Sequence, residues 1–128
     1  MLMRSGAYKM IIGIVGSRRR DSESDYRATL SAFLSVYKDV RDSIVSGGCP
    51  RGGDRFAELI AKTRNVPILI HPANWVQYGR SAGFQRNTLI ARDADVLIAC
   101  VAEDRTGGTE DTIRKFRAYH PEGTLILV

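Results

Sequence analysis

Five short apolar runs constrain this chain more than any other feature, because stretches with helical spacing separate each run from the next. The runs are Met10–Val15, Ser43–Ser46, Val66–Ile70, Asp95–Cys100 and Thr124–Val128. Runs of this length bounded by glycine or turn residues read as strands buried on both faces. Between the first two, Ser22-Glu23-Ser24-Asp25 has the form of a capping box with Asp in place of Glu. Tyr26, Leu30, Phe33, Leu34 and Tyr37 follow at helical spacing and predict a helix of about four turns. Asp54 is expected to cap a second helix with Phe56, Leu59, Ile60 and Thr63 facing inward. Residues 72–80 read as a loop that holds the single Trp. A third helix is expected over Ser81–Arg92, with Ala82, Leu89 and Ile90 on one face, and a fourth opens at Thr109 with Ile113 and Phe116 inside.

Strands that alternate with helices imply an α/β fold: a parallel sheet covered by helices on both faces. Right-handed crossovers leave few topologies. The expected strand order is 3-2-1-4-5, with 2-1-3-4-5 as the alternative. A chain of 128 residues has room for one such domain, with residues 1–9 as a loose lead-in.

Composition removes several function classes. No apolar run approaches the ~20 residues a membrane-spanning helix needs, so no membrane partner is expected. Residues 1–7 are too weakly apolar for a secretory signal. The two cysteines, Cys49 and Cys100, imply no disulfide framework, and a reducing, cytoplasmic setting is expected. His71 and His120 lack metal-ligand spacing, so no metal or cofactor is expected. The net charge of +5 comes almost entirely from 15 Arg against four Lys. Arginine suits phosphate, but the charge is spread along the chain, and weak or no nucleic-acid binding is expected.

In an open parallel sheet the ligand lies beyond the carboxyl ends of the strands, where strand order reverses. Three glycine-bearing loops should converge there: Gly16-Ser17-Arg18, the loop from Ser46-Gly47-Gly48 through Gly52 to Asp54, and Arg105-Thr106-Gly107-Gly108-Thr109. Glycine lets a ligand approach the backbone, and helix N-termini aim N–H groups at anions, so the three together describe a phosphate cradle. The alternative is that the glycines only make tight turns between strand and helix. Arg86 falls on the inner stripe of its helix near the N-terminus, which aims it into the crevice. Its partner is Asp54, Asp95 or a ligand phosphate. Trp75 is read as a packing anchor ahead of a surface for stacking a base.

The ordered set Val15-Gly16-Ser17-Arg18, Val45-Ser46-Gly47-Gly48 with Gly52-Gly53-Asp54, Phe84-Gln85-Arg86-Asn87 and Gly107-Gly108-Thr109 resembles the SLOG superfamily of Rossmann-like domains. That superfamily includes DprA, the LOG phosphoribohydrolases and domains that sense nucleotide-derived signals. The resemblance implies a Rossmann-like three-layer domain, a homodimer or higher homo-oligomer, and a nucleotide or nucleotide-sugar ligand of the ADP-ribose or NAD type. It implies that Gly16, Ser17, Gly47, Gly48, Gly107, Gly108 and Thr109 hold phosphate or ribose. Arg18 and Arg86 would be charge partners, and Ser46, Gly52, Asp54 and Asn87 would complete the site. It also carries two other readings: DprA-like binding of single-stranded DNA, and LOG-like cleavage of an N-glycosidic bond. For the last, Arg86 matches the arginine of the LOG enzymes, but Thr112 stands where their catalytic Glu falls. Glu110 and Asp111 are the neighbouring acids that could substitute, with Asp54.

Overall fold

The computed structural model describes residues 9–128. The expected lead-in therefore lies outside the described residues except for Lys9, whose backbone N–H donates to the Arg41 carbonyl at 3.1 Å. The strands are β1 (Ile11–Gly16), β2 (Ser43–Ser46), β3 (Ile68–Ile70), β4 (Val96–Cys100) and β5 (Thr124–Leu127). All pair in parallel, in the order β3-β2-β1-β4-β5. This is the first of the two expected orders, and the reversal falls between β1 and β4.

The helices are α1 (Glu23–Val36), α2 (Gly53–Arg64), α3 (Trp75–Tyr78), α4 (Ala82–Asp93) and α5 (Gly108–Tyr119). Side chains alternate across the sheet, as the pleat requires. Ile12, Ile14, Ile44 and Ile98 face one layer, where they pack with Phe33 of α1 and Ala57, Ile60 and Ala61 of α2. Val15, Val45, Leu97 and Ala99 face the other, with Ile90 and Ala91 of α4 and Ile113 and Phe116 of α5. These are the three layers of a Rossmann-like domain. Among the described residues no helix is long and apolar enough to cross a membrane.

The capping box of α1 forms as read: Ser22 Oγ accepts the Asp25 N–H, and the Asp25 carboxylate accepts the Ser22 N–H. Three expectations need correction. Asp54 does not cap α2; Gly52 is the cap residue and Asp54 is the second residue of the first turn. The inner face of α2 runs through Phe56, Ala57, Ile60 and Ala61, while Leu59 is half-buried and Thr63 exposed. The small alanines turn inward because α2 sits hard against β1. A Cβ on Gly53 would lie 2.2 Å from the Val15 carbonyl carbon, so only the smallest residues fit this approach. Residues 72–80 are not irregular throughout: Asn74 accepts the Gln77 N–H and caps the single turn of α3, and a 3₁₀ turn, Gly79–Ser81, leads into α4.

Candidate functional site

A cleft of about 410 Å³ opens at the carboxyl edge of the sheet, over the reversal between β1 and β4. That volume falls within the roughly 300–1,000 Å³ of small-molecule sites. Val15, Gly16, Ser17 and Arg18 line it from the end of β1. Thr106, Gly107, Gly108, Thr109 and Thr112 line it from the loop after β4 and the start of α5. Arg86, Asn87 and Ile90 come from α4, and Trp75, Arg80, Gly83 and Phe84 from the segment that leads into it. Cys49 and Asp54 complete the lining.

The three glycine loops do not do the same job. At the last, Gly107 is the cap residue of α5 with φ 104° and ψ −170°, a conformation essentially restricted to glycine, and no side chain caps the helix. A Cβ there would meet no atom within 4 Å, so packing does not explain the glycine. The first turn of α5 is left open beside the cleft, where its N–H groups favour an anion. At the first loop, the Ser17 N–H is committed to the Cys100 carbonyl at 2.9 Å. The Ser17 hydroxyl accepts the Arg19 N–H at 3.1 Å, and its own proton remains to be donated.

The middle loop reaches the cleft through Cys49 and Asp54, but its glycines serve packing, which corrects the expectation that they make a third phosphate contact. Ser46, Gly47, Gly48 and Gly52 do not line the cleft. The Gly52 N–H is taken by Asp21 at 2.7 Å, and a Cβ on Gly52 would sit 2.4 Å from the Ser17 carbonyl oxygen. The N-terminus of α2 is thus closed by β1 and its loop. Asp21 is held below the usual carboxylate range by that N–H and by Arg55.

Arg86 is half-buried, with Nη1 donating to the Gly47 carbonyl at 2.8 Å and Nε to Asn87 Oδ1 at 3.0 Å. Among the described residues no carboxylate lies within ion-pair distance of it. Asp95 instead accepts the Ile11 N–H at 2.7 Å, at the far edge of the sheet. The fully buried stripe of α4 is Ala82, Asn87, Ile90 and Ala91, one position round from the expected stripe. Asn87 ties α4 to α5, donating to the Gly108 carbonyl and to Asp111, both at 3.2 Å.

Asp54 is the one carboxyl group that lines the cleft among the described residues. Its Oδ2 accepts the Cys49 N–H at 3.1 Å, and its Oδ1 lies 2.9 Å from Ser46 Oγ. Ser46 Oγ is also 2.6 Å from the Ile14 carbonyl, to which it donates. A hydroxyl has one proton, so it cannot donate to both oxygens. Burial pushes the Asp54 carboxyl up, against the opposing effect of the Cys49 and Gly47 N–H groups, the Ser46 hydroxyl and Arg86.

The two acids closest to the LOG catalytic position do not line the cleft. Glu110 pairs with Arg105 at 2.8 Å. Asp111 pairs with Lys115 at 2.8 Å and with Arg114. His71 pairs with Asp93 at 2.7 Å, and His120 bonds the Ala91 and Arg92 carbonyls at the end of α4. Trp75 corrects the expectation of a packing anchor: 59% of it is exposed, on the cleft wall. Arg80 and Arg19 also line the cleft, and no motif in the sequence points to either. Arg19 is bound to Asp104, 2.8 Å away, but Arg18 and Arg80 have no acidic partner among the described residues. The density of arginine was the available signal, and only the one-turn helix α3 shows that Arg80 returns to the cleft.

No protein-family model, characterised protein or solved structure matches this chain.

Proposed function

We propose that this protein binds a nucleotide or nucleotide-sugar, of the nucleoside-phosphate or ADP-ribose class, in the cleft at the carboxyl edge of the sheet. It would act there as a binding or sensing module. The observation that carries this reading is the charge balance of the cleft. Arg18, Arg80 and Arg86 line it without a carboxylate ion-pair partner among the described residues, and its one acid, Asp54, is pushed toward neutrality by burial. Such an excess of guanidinium beside an uncapped helix N-terminus suits phosphate. The ordered resemblance to the SLOG superfamily supports the same ligand class.

A second reading, hydrolysis of an N-glycosidic bond, is favoured by Asp54 itself. A carboxyl group raised from its ordinary value and lining the cleft has the character of a general acid.

Thermal unfolding in the presence of AMP, ADP-ribose and NAD tests the binding reading. A ligand that binds only the folded state raises the Tm by mass action. Each compound at millimolar concentration is compared with buffer at matched ionic strength. A Tm unchanged by all three would remove the proposed function.

A further inference from the structure

The arginines and the α5 terminus account for a phosphate, but not for the aromatic wall. Trp75 and Phe84 are 59% and 55% exposed, and both line the cleft. Trp75 opens the capped turn of α3, and its Cη2 lies 4.0 Å from where a Cβ of Gly83 would stand. Phe84 is held through α5: Lys115 Nζ donates to its carbonyl at 2.7 Å and lies 5.7 Å from its ring centroid. Lys115 is fixed in turn by Asp111. Two large aromatic side chains thus line the cleft at a cost in exposed apolar surface.

The amide side chain near this wall has little capacity to read a base edge. Among the described residues Asn87 is the only amide side chain that lines the cleft. It spends Nδ2 on Gly108 and Asp111, and its Oδ1 accepts from Arg86 Nε. Arg80 offers charge and a planar face, which stack on any base. Stacking on an aromatic side chain is tolerant of base identity because every base has a π-face.

We propose that the Trp75–Phe84 wall seats the nucleobase of the ligand by stacking, so that the site ranks nucleotides by ring area rather than by exocyclic groups. This rests on the nucleotide reading above and assigns the class of group at the second half of the site. Purine nucleotides bind better than pyrimidine nucleotides, and adenine and guanine are nearly equivalent.

The test is calorimetric affinity for AMP, GMP, CMP and ribose 5-phosphate with wild type, Trp75→Ala and Trp75→Phe. Circular dichroism confirms the fold of each variant, since an exposed side chain is being removed. AMP and GMP are expected within about threefold of each other, with ribose 5-phosphate about tenfold or more weaker, the scale of one stacked base. Trp75→Ala brings AMP to the level of ribose 5-phosphate and leaves ribose 5-phosphate unchanged, and Trp75→Phe restores most of the loss. Ribose 5-phosphate binding as tightly as AMP would overturn the base seat and leave the phosphate half standing. AMP and GMP differing by more than about thirtyfold would show edge readout and overturn the ranking. If none of the four binds, the nucleotide reading and the base seat fall together.

Discussion

Arg86 Nη1 donates to the main-chain oxygen of Gly47 at 2.8 Å, so a neutral carbonyl holds the guanidinium that reaches the cleft from α4. The arrangement fixes the side chain without cancelling its charge. Arg86→Ala therefore strands a carbonyl and no carboxylate. It is expected to cost ~1–2 kcal/mol of stability, well below the 3–5 kcal/mol of a broken buried ion pair. Nucleotide affinity should fall by ~1.5–3 kcal/mol, and Arg86→Lys should recover only part of it because the fork is lost. Urea unfolding and calorimetry on the same samples separate the two effects. A large loss of stability with affinity intact would make this arginine structural.

Asp54 gives a pH dependence of definite sign. Its folded pKa is raised above the ordinary carboxylate value, so the native state holds its proton longer than the unfolded chain does. The stability it contributes is complete below the unfolded value of 3.8 and is lost as pH rises through the raised folded value. Asp54→Asn mimics the neutral acid, with an amide N–H to donate to Ser46. Relative to wild type, the variant is expected to gain stability as pH rises above 3.8. The difference between the two proteins cancels Asp21, Asp39 and Asp104, whose pKa values are depressed and act in the opposite sense. A difference that stays flat with pH would show that Asp54 titrates alike in the folded and unfolded chain.

Gly53 and Gly107 separate packing from ligand access. Gly53→Ala places a methyl group 2.2 Å from the Val15 carbonyl carbon and is expected to cost about 3 kcal/mol or more, or to prevent folding. Gly107→Ala meets no neighbour but must hold φ 104°, at a cost of order 1–3 kcal/mol. Only the second variant remains folded with a methyl group at the cleft, and its nucleotide affinity should drop. Equal stability for the two would contradict the packing assigned to the Gly52–Gly53 step.

The fold was legible because β1, β2 and β4 are short, apolar on both faces and ended by loops that carry glycine. Ser22 and Asp25 marked the start of α1 for a local reason, since a capping box needs only four consecutive residues. Other features depended on distant contacts. The inward turn of Ala57 and Ala61 follows from Gly53 meeting Val15, which no helical period contains. Arg86 was placed near the cleft correctly, yet Asn87 takes the buried position because it must reach Gly108 on α5. Gly52 and Gly107 look alike in sequence and share a backbone conformation. One is pressed against Ser17 and the other stands open. Trp75 was misread because the turn of α3 that carries it back to the cleft is too short for a periodic signal.

The most direct test of nucleotide binding is a ¹H–¹⁵N correlation titration of the uniformly labelled protein with AMP. The chain has a single Trp, so the indole N–H of Trp75 gives one resolvable signal on the cleft wall. The account predicts saturable shifts of that indole together with the amides of Ser17, Gly107, Gly108 and Thr109. The Gly52 and Gly53 amides, closed behind β1, should move little. An unchanged spectrum at millimolar AMP, or shifts confined to residues away from the cleft, would contradict it.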